Sequence, residues 1–507
     1  FVLRDINIRI QGTSSTKYPS KNIRIYFNKG GEEKSLTVNG VLNPLGSNKY
    51  RMRPGARPQN LYTMKSDYSD SSMSLNTGGA KLFNDVLKEL GLLTPPQRHQ
   101  YEQGGNSLQA VDVRSAIDGF PIDVWCAATE DGENEYYGQY NFNNEKSKSD
   151  SLFGMTGVEG YTPTCPITLE MLNNGERACL FKMENDAAYE AHWDAGAEFN
   201  YPEDVTWGTA TPEQKASIKR LYDWIRSCVP SGAHSGDLST WASLKFANEI
   251  EQYFDKDYIL TYYLWTDYFL AVDQRAKNMM LRTWDGLKWY LTYYDGDTQL
   301  GKRNDCFLVY QYMTDRDTYD SQASKYAFEG RDSWLWNLVL ANLQDDLRRC
   351  ARNLRAVLTT ERVLAMLTEE QSGNWSDRAF NKSGYIKYIR PAIQEMYGKT
   401  WPFIYALQGS NKAHREYFVR NRFALLDAKY GTSNFTSDNV DFYMSRLGSD
   451  AADVVRITAN EVYAFGYGTN NQQNIANTGI VSKNSIATIS ITGAYTVNDP
   501  RRLYGAS

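Results

Sequence analysis

No apolar run in this chain is long enough to span a bilayer, so no transmembrane helix is expected. Basic charge is not in excess: 55 Lys and Arg face 60 Asp and Glu, a net charge of −5 at pH 7. That balance argues against a protein that coats nucleic acid. Histidine is scarce and scattered, at His99, His192, His234 and His414, with no H-E-x-x-H. A zinc hydrolase or a Ser-His-Asp triad therefore fits poorly. The six cysteines, Cys126, Cys165, Cys179, Cys228, Cys306 and Cys350, form no C-x-x-C pair. This excludes a zinc ribbon and a dithiol redox motif, and in so large a domain mostly buried free thiols are expected. Internal repeats and low-complexity tracts are also missing. The sequence starts at Phe1 rather than Met and shows no signal peptide, so it reads as part of a longer polypeptide.

What is present is an ordinary globular composition, 41% hydrophobic and 23% charged over 507 residues, enough for two to four domains and a sizeable core. The 36 Tyr and 12 Trp suit large interfaces or contact with a glycan; filling cores and their rims is the plainer reading.

The most informative stretch runs from Phe254 to Asn304. Its first half reads as a buried helix, with Ile259, Tyr262, Tyr263, Trp265, Tyr268 and Phe269 apolar on most of the circumference. Asp273 follows the helix, and Asn278 comes five residues later. Met279 to Arg282 and Leu287 to Tyr294 then read as two strands joined at Trp284-Asp285-Gly286. The second strand delivers Asp295, with Asp297 two residues on.

That order has a chemical meaning. Phosphoryl transfer asks the protein to position a metal and to orient the attacking oxygen. Protein kinases use an Asp, an Asn five residues later, and a second Asp after a short hairpin. By that pattern Asp273 orients the nucleophile, while Asn278 and Asp295, with Asp297, offer oxygen ligands to Mg²⁺ or Mn²⁺. The alternative is a helix-capping Asp273 and a solvated turn at Asp295 and Asp297.

Two segments carry a family resemblance. The run Asn278 to Gly301, with KNMML, WDG, KWY and YYDGDTQLG, resembles the CotH kinase family, atypical kinase-like proteins that are secreted or surface-associated. The family usually places Trp before the first Asp of its D-x-D and an apolar residue inside it; here these are Tyr294 and Gly296. The opening INIRIQGTSSTKYPSKNIRIYF resembles the family's strand, Gly-x-Ser-Ser loop and second strand, with Gln11 where many relatives have Arg. The resemblance implies ATP as cofactor. It also implies that the loop at Gly12, Ser14 and Ser15 covers nucleotide phosphates and that Lys21 reaches them as a point charge. The segments IDGFPI, GQYNFNNEKSKSDSLFG, LEMLNNGERACLF and AEFNYPE are most similar to CotH-like domains encoded by tailed phages.

Several further elements are legible. Thr77 to Leu90 reads as a helix ended by Gly91, and Thr211-Pro212-Glu213-Gln214 as a helix start. Strands are expected around Ile117 to Phe120 and, after a turn, at Ile122 to Ala127. Arg51, Arg53 and Arg57 form a basic loop, most simply a solvated one. Asp67 or Asp70 is expected to cap a helix rather than touch the site. One central helix is expected from about Ser239. Residues 332 to 430 read as helical, with Pro391 and Pro402 as interruptions and Gly431 as the stop. From about Val454, alternating apolar residues between Asn and Gly turns indicate an antiparallel β module.

The expected fold is α+β. A protein-kinase-like, CotH-like domain spans 1–430, with a small N-terminal sheet and a large helical part. A small β-sandwich-like module follows at 450–507. The resemblance implies a tail component of a phage virion in a multi-copy assembly with other virion proteins. The alternatives are an active secreted or cell-surface kinase acting with ATP and Mg or Mn, and an adhesin for a host surface glycan or protein. Neither nucleic acid nor a membrane span is expected.

Overall fold

A computed structural model describes residues 2–4, 6–12, 16, 21–27, 37–38, 41–42, 49–67, 74–127, 129, 131–146, 152–171, 197–234, 237–271, 273–275, 278–297, 299–301, 312–313, 333–368, 410–432, 454–458, 462–463, 480–481 and 486–490. Mixed α and β structure runs through them. The strands are β1 (Leu3–Arg4), β2 (Ile6–Gln11), β3 (Asn22–Phe27), β4 (Thr37–Val38), β5 (Val41–Leu42), β6 (Leu61–Lys65), β7 (Gly119–Cys126), β8 (Glu135–Asn144), β9 (Ile167–Met171), β10 (Ala197–Tyr201), β11 (Met280–Thr283), β12 (Tyr290–Thr292), β13 (Val454–Thr458), β14 (Val462–Tyr463), β15 (Ile480–Val481) and β16 (Ile486–Ser490). The α-helices are α1 (Thr77–Glu89), α2 (Pro95–Gln103), α3 (Pro212–Cys228), α4 (Leu244–Glu249), α5 (Lys256–Tyr268), α6 (Trp334–Asn342), α7 (Gln344–Val357), α8 (Thr360–Thr368) and α9 (Ser410–Tyr430).

Two antiparallel sheets position the site. The first has the order β2-β3-β6-β8-β7, and the second β10-β9-β11-β12. In β3 the pattern Asn-Ile-Arg-Ile-Tyr-Phe alternates, burying Ile23, Ile25 and Phe27 on one face. Those residues pack with Tyr50, Tyr62, Met64 and Phe142 into a small core of their own. The stretch expected as two strands with a turn between them forms one strand here, β7, Gly119–Cys126. The sequence reading was broken by Pro121, which has no N–H to donate. An edge strand tolerates it, because the missing donor can face outward.

The larger core is organised around α5. Asp255 caps it by accepting from the Tyr258 N–H at 3.0 Å, and every residue from Tyr258 to Tyr268 is buried. Phe83 of α1, Trp336 of α6 and Phe423 of α9 lie against its aromatic surface. Burying a side chain of this size contributes about 1.5–3 kcal/mol each, so α5 is held by packing on all sides. The stretch expected as one helix from Ser239 is instead a 3₁₀ turn at Leu238–Trp241, then α4, a second turn and α5. Capping explains the breaks, since Asp237, Ser243 and Asp255 each accept a backbone N–H at a new start.

Other expectations are met directly. In α3 the Thr211 Oγ1 accepts from the Gln214 N–H, and the Gln214 Oε1 accepts from the Thr211 N–H. Helix α1 stops before Gly91, whose φ of 70° suits glycine. Helix α9 runs to Tyr430, and Gly431 stops it at φ 66°. The basic loop, expected to be solvated, is instead tied into the structure: Arg53 pairs with Asp118, the buried Arg57 with Asp112, and Arg51 donates to the Ala56 carbonyl. Cys228 and Cys350 are buried free thiols, Cys165 is half-buried and Cys126 is exposed; Cys179 and Cys306 lie outside the described residues. Pro391, Pro402 and Asp70 lie outside them too. Of the C-terminal module, the described strands form two antiparallel pairs, β13 with β16 and β14 with β15. Among the described residues no helix is long and apolar enough to cross a membrane.

Candidate functional site

Strand β6 is the middle strand of the first sheet, and its C-terminal end delivers Lys65, Ser66 and Asp67. Ser66 donates from both its backbone N–H and its hydroxyl to the Asn22 Oδ1 at the start of β3. Asp67 is buried in a left-handed conformation, φ 40°, and accepts from Asn76 at 3.1 Å and Asn141 at 2.6 Å. Asn76 is the residue before α1. Asp67 thus binds the side chain of the residue before α1; contrary to the capping role expected of it, it belongs to the charges around Lys65.

The second sheet supplies the opposing wall. Hairpin β11–β12 pairs Met280 with Thr292, which sets Asn278 and Asp295 at the same end of the hairpin. Both residues are left-handed, at φ 52° and φ 54°. Asn and Asp accept that region more readily than other side chains, yet it costs energy and concentrates at functional sites. The backbone before the hairpin is tied to the backbone after it. Gln274 donates its side-chain N–H to the carbonyls of Tyr294 and Asp295 at 2.9 and 2.8 Å, and its own carbonyl accepts from the Tyr262 hydroxyl of α5. Asp273 begins this 3₁₀ turn, so its backbone lies one residue from the clamp on Asp295; its side chain is outside the description.

The walls meet at Lys65. Its Nζ lies 3.8 Å from the Asp295 Oδ1, and its side chain is only 12% exposed. Burial pushes the amine down, but Asp295, Asp67, Asp297 and Glu145 together hold it above the ordinary lysine value. Glu145 is buried and accepts from Arg24 at 2.8 Å and Gln11 at 3.4 Å. Beside it, Lys146 pairs with Glu170 and lies 4.3 Å over the Tyr294 ring. The Glu198 carboxyl, directly across the ladder from Glu170, is raised by burial and by that neighbouring acid.

The Asp-Gly-Asp turn is close-packed. A Cβ at Gly296 would stand 1.9 Å from the Tyr293 hydroxyl oxygen, so no larger residue fits without movement. Gln299 bonds both the Gly296 carbonyl and the Leu75 carbonyl just ahead of α1. The glycine between the two acids is therefore demanded by a tyrosine three residues earlier.

Of the residues singled out in the sequence, Asn278, Asp295 and Asp297 come to one end of the second sheet, with the backbone of Asp273 beside them. Lys21 begins the segment entering β3, one residue from the Asn22 that holds Ser66. Its Nζ donates to the Thr16 carbonyl at 2.7 Å, across its own loop. Gly12 is exposed, with φ 112°, and Ser14 and Ser15 lie outside the described residues. Sequence reasoning missed Lys65, Glu145 and Gln274. The signal for Lys65 was its place at the end of the apolar run LYTM, directly before a polar turn.

Among the described residues no three or more His, Cys, Asp or Glu side chains form a metal-holding group. Mg²⁺ is ordinarily held by one or two carboxylates with waters and phosphate oxygens completing the shell, a donor set that Asp295, Asp297 and Asn278 fit. No family model matches the chain, and no curated protein matches it.

Proposed function

We propose that the chain is a kinase-like protein of a tailed phage, a tail building block whose cleft binds a nucleoside triphosphate. The observation that carries the nucleotide reading is the meeting of Lys65 from one sheet with Asp295 from the other, with Asp67 and Asp297 around the same amine. A lysine on a central strand opposite a metal-type Asp is the arrangement by which kinases hold phosphates. Lys65 takes that role in this reading. Asp295, Asp297 and Asn278 would hold Mg²⁺ or Mn²⁺, which when bound neutralises phosphate charge. Asp273 orients the attacking hydroxyl and receives its proton, as the oxygen bonds the γ-phosphorus and the bond to the β-phosphate oxygen breaks.

The test is incubation with Mg²⁺ or Mn²⁺ and γ-labelled ATP, offering virion and host-surface proteins as acceptors. Label transfer that disappears in Asp295→Ala supports an active kinase. Nucleotide binding without transfer supports a cleft kept for structure or regulation. Absence of both nucleotide binding and label transfer overturns the nucleotide reading.

The building-block reading is favoured by uncovered apolar residues on the edge strand β2. Ile8 and Ile10, two apart and so on one face of that strand, are each more than half exposed. Neighbouring exposed residues of this kind suit contact between protein subunits. Absence of the chain from purified virions by mass spectrometry would count against this part of the proposal without touching the cleft.

A further inference from the structure

Gln274 is completely buried, and the two ends of its amide meet different surroundings. Its Nε2 carries two hydrogens and donates to two carbonyls, those of Tyr294 at 2.9 Å and Asp295 at 2.8 Å. Only the nitrogen of a glutamine amide can donate, so these partners fix the orientation of the group. Among the described residues no donor reaches its Oε1, which is buried as well. An acceptor left in that state is destabilising. Packing alone would be served better by an apolar side chain of the same length. What the amide adds is its hold on residues 294 and 295.

The turn that carries Gln274 is itself braced. The Gln274 carbonyl accepts from the Tyr262 hydroxyl of α5 at 2.7 Å. The next residue, Arg275, donates from its Nε to the Thr266 Oγ1 of α5 at 2.8 Å, and its carbonyl accepts from the Trp336 Nε1 of α6 at 2.7 Å. Three ties to two helices thus fix the 3₁₀ turn Asp273–Arg275. At the other end of the hold, Asp295 is left-handed at φ 54°. A residue other than glycine stays in that region only where its surroundings impose it.

On the reading of Asp295 as a metal ligand, on which this role rests, we propose that Gln274 is a positioning residue for the metal site. It holds the Asp295 carbonyl from a turn braced on α5 and α6. It thereby sets the direction of the Asp295 carboxylate and the place of Asp295 relative to the backbone of Asp273, the neighbour of Gln274 in the chain. Gln274 touches neither metal nor nucleotide in this role and acts through Asp295. Loss of such an outer group typically costs about 10- to 100-fold in metal affinity.

The test titrates the full chain with Mn²⁺, without nucleotide and again with ATP, and reads free Mn²⁺ by electron paramagnetic resonance. Gln274→Met keeps an unbranched side chain that donates nothing. It should bind Mn²⁺ about 10-fold more weakly than wild type, with the unfolding temperature little changed, because the buried acceptor without a donor is removed along with the two bonds. Tyr262→Phe loosens the turn without touching Asp295 and should weaken Mn²⁺ by a smaller factor. Tyr258→Phe removes a hydroxyl of the same helix that bonds the Leu291 carbonyl in β12, and should match wild type. Wild-type affinity in Gln274→Met would overturn the proposal and leave the metal reading standing. Equal losses in Tyr258→Phe and Tyr262→Phe would also overturn it, since general loosening of α5 would then be the cause. Should Gln274→Met fail to fold, the two tyrosine variants decide. A wild-type chain that binds no Mn²⁺ under either condition would overturn the metal reading and this role together.

Discussion

At the residue scale, Lys65 matters through the charges around it. The four carboxylates of Asp67, Glu145, Asp295 and Asp297 would repel one another, and the amine stands among them as an internal cation. Replacing it with methionine should weaken ATP binding about 10- to 100-fold, the scale of a lost charge-assisted hydrogen bond, measured by calorimetry with Mg²⁺ present. Lys21→Ala should have a smaller effect, since that amine is engaged with the Thr16 carbonyl. The reverse order of sensitivity would return the phosphate role to Lys21. Gly296 gives a second prediction. Gly296→Ala places a Cβ 1.9 Å from the Tyr293 hydroxyl oxygen, and overpacking of this kind costs about 1–3 kcal/mol. Tyr293→Phe removes that oxygen and should recover part of the loss in a double-mutant cycle read by urea unfolding.

At the scale of elements, α5 and α9 are joined by buried charge. The Asp267 carboxylate accepts from Arg422 at 3.0 Å and the Tyr430 hydroxyl at 2.6 Å, and pairs with Arg275 at 3.2 Å and Lys429 at 3.2 Å. Arg275 belongs to the same short turn as Gln274, so the charge network reaches the segment that clamps Asp295. Burial opposes ionisation of Asp267, but Lys429, Arg275, Arg422 and the Tyr430 hydroxyl outweigh it and hold the carboxyl far below its ordinary value. A depressed acid adds stability that is fully present above the unfolded value near 3.8 and is lost as pH falls through the folded one. Wild type should therefore lose more stability than Asp267→Asn between about pH 5 and pH 2. At pH 7, Asp267→Asn should cost about 3–5 kcal/mol, because Arg422 and Arg275 keep their charge without its counterpart. Denaturant unfolding across that pH range measures both; parallel curves for the two proteins would contradict the assignment.

At the scale of the whole molecule, the described core closes with α9, where the Thr432 N–H donates to the Asp427 carbonyl and Tyr430 is buried. The described strands beyond it pair with one another. A chain ending at Thr432 should keep the wild-type unfolding transition and nucleotide binding. Loss of either would show that the C-terminal strands complete the domain.

Much of this was written locally. The alternation in Ile6–Gln11 and Asn22–Phe27, the Thr-Pro-Glu-Gln start of α3 and the apolar circumference of α5 each depend on neighbours a few residues apart. So does the order Asp273, Asn278, Asp295, since a helix end and one hairpin set their spacing. Local signals failed where strand position in a sheet decided the outcome: Pro121 ends a strand in isolation but not at a sheet edge. The partner of Asp295 was beyond any local pattern, because Lys65 lies 230 residues away on another sheet. Sequence by itself determined which segments become helix or strand and which acids fall at one hairpin end, through periodicity, capping and spacing. Only tertiary structure decided which lysine meets those acids and which glycine must stay a glycine. Those outcomes depend on charge and volume brought together from distant parts of the chain.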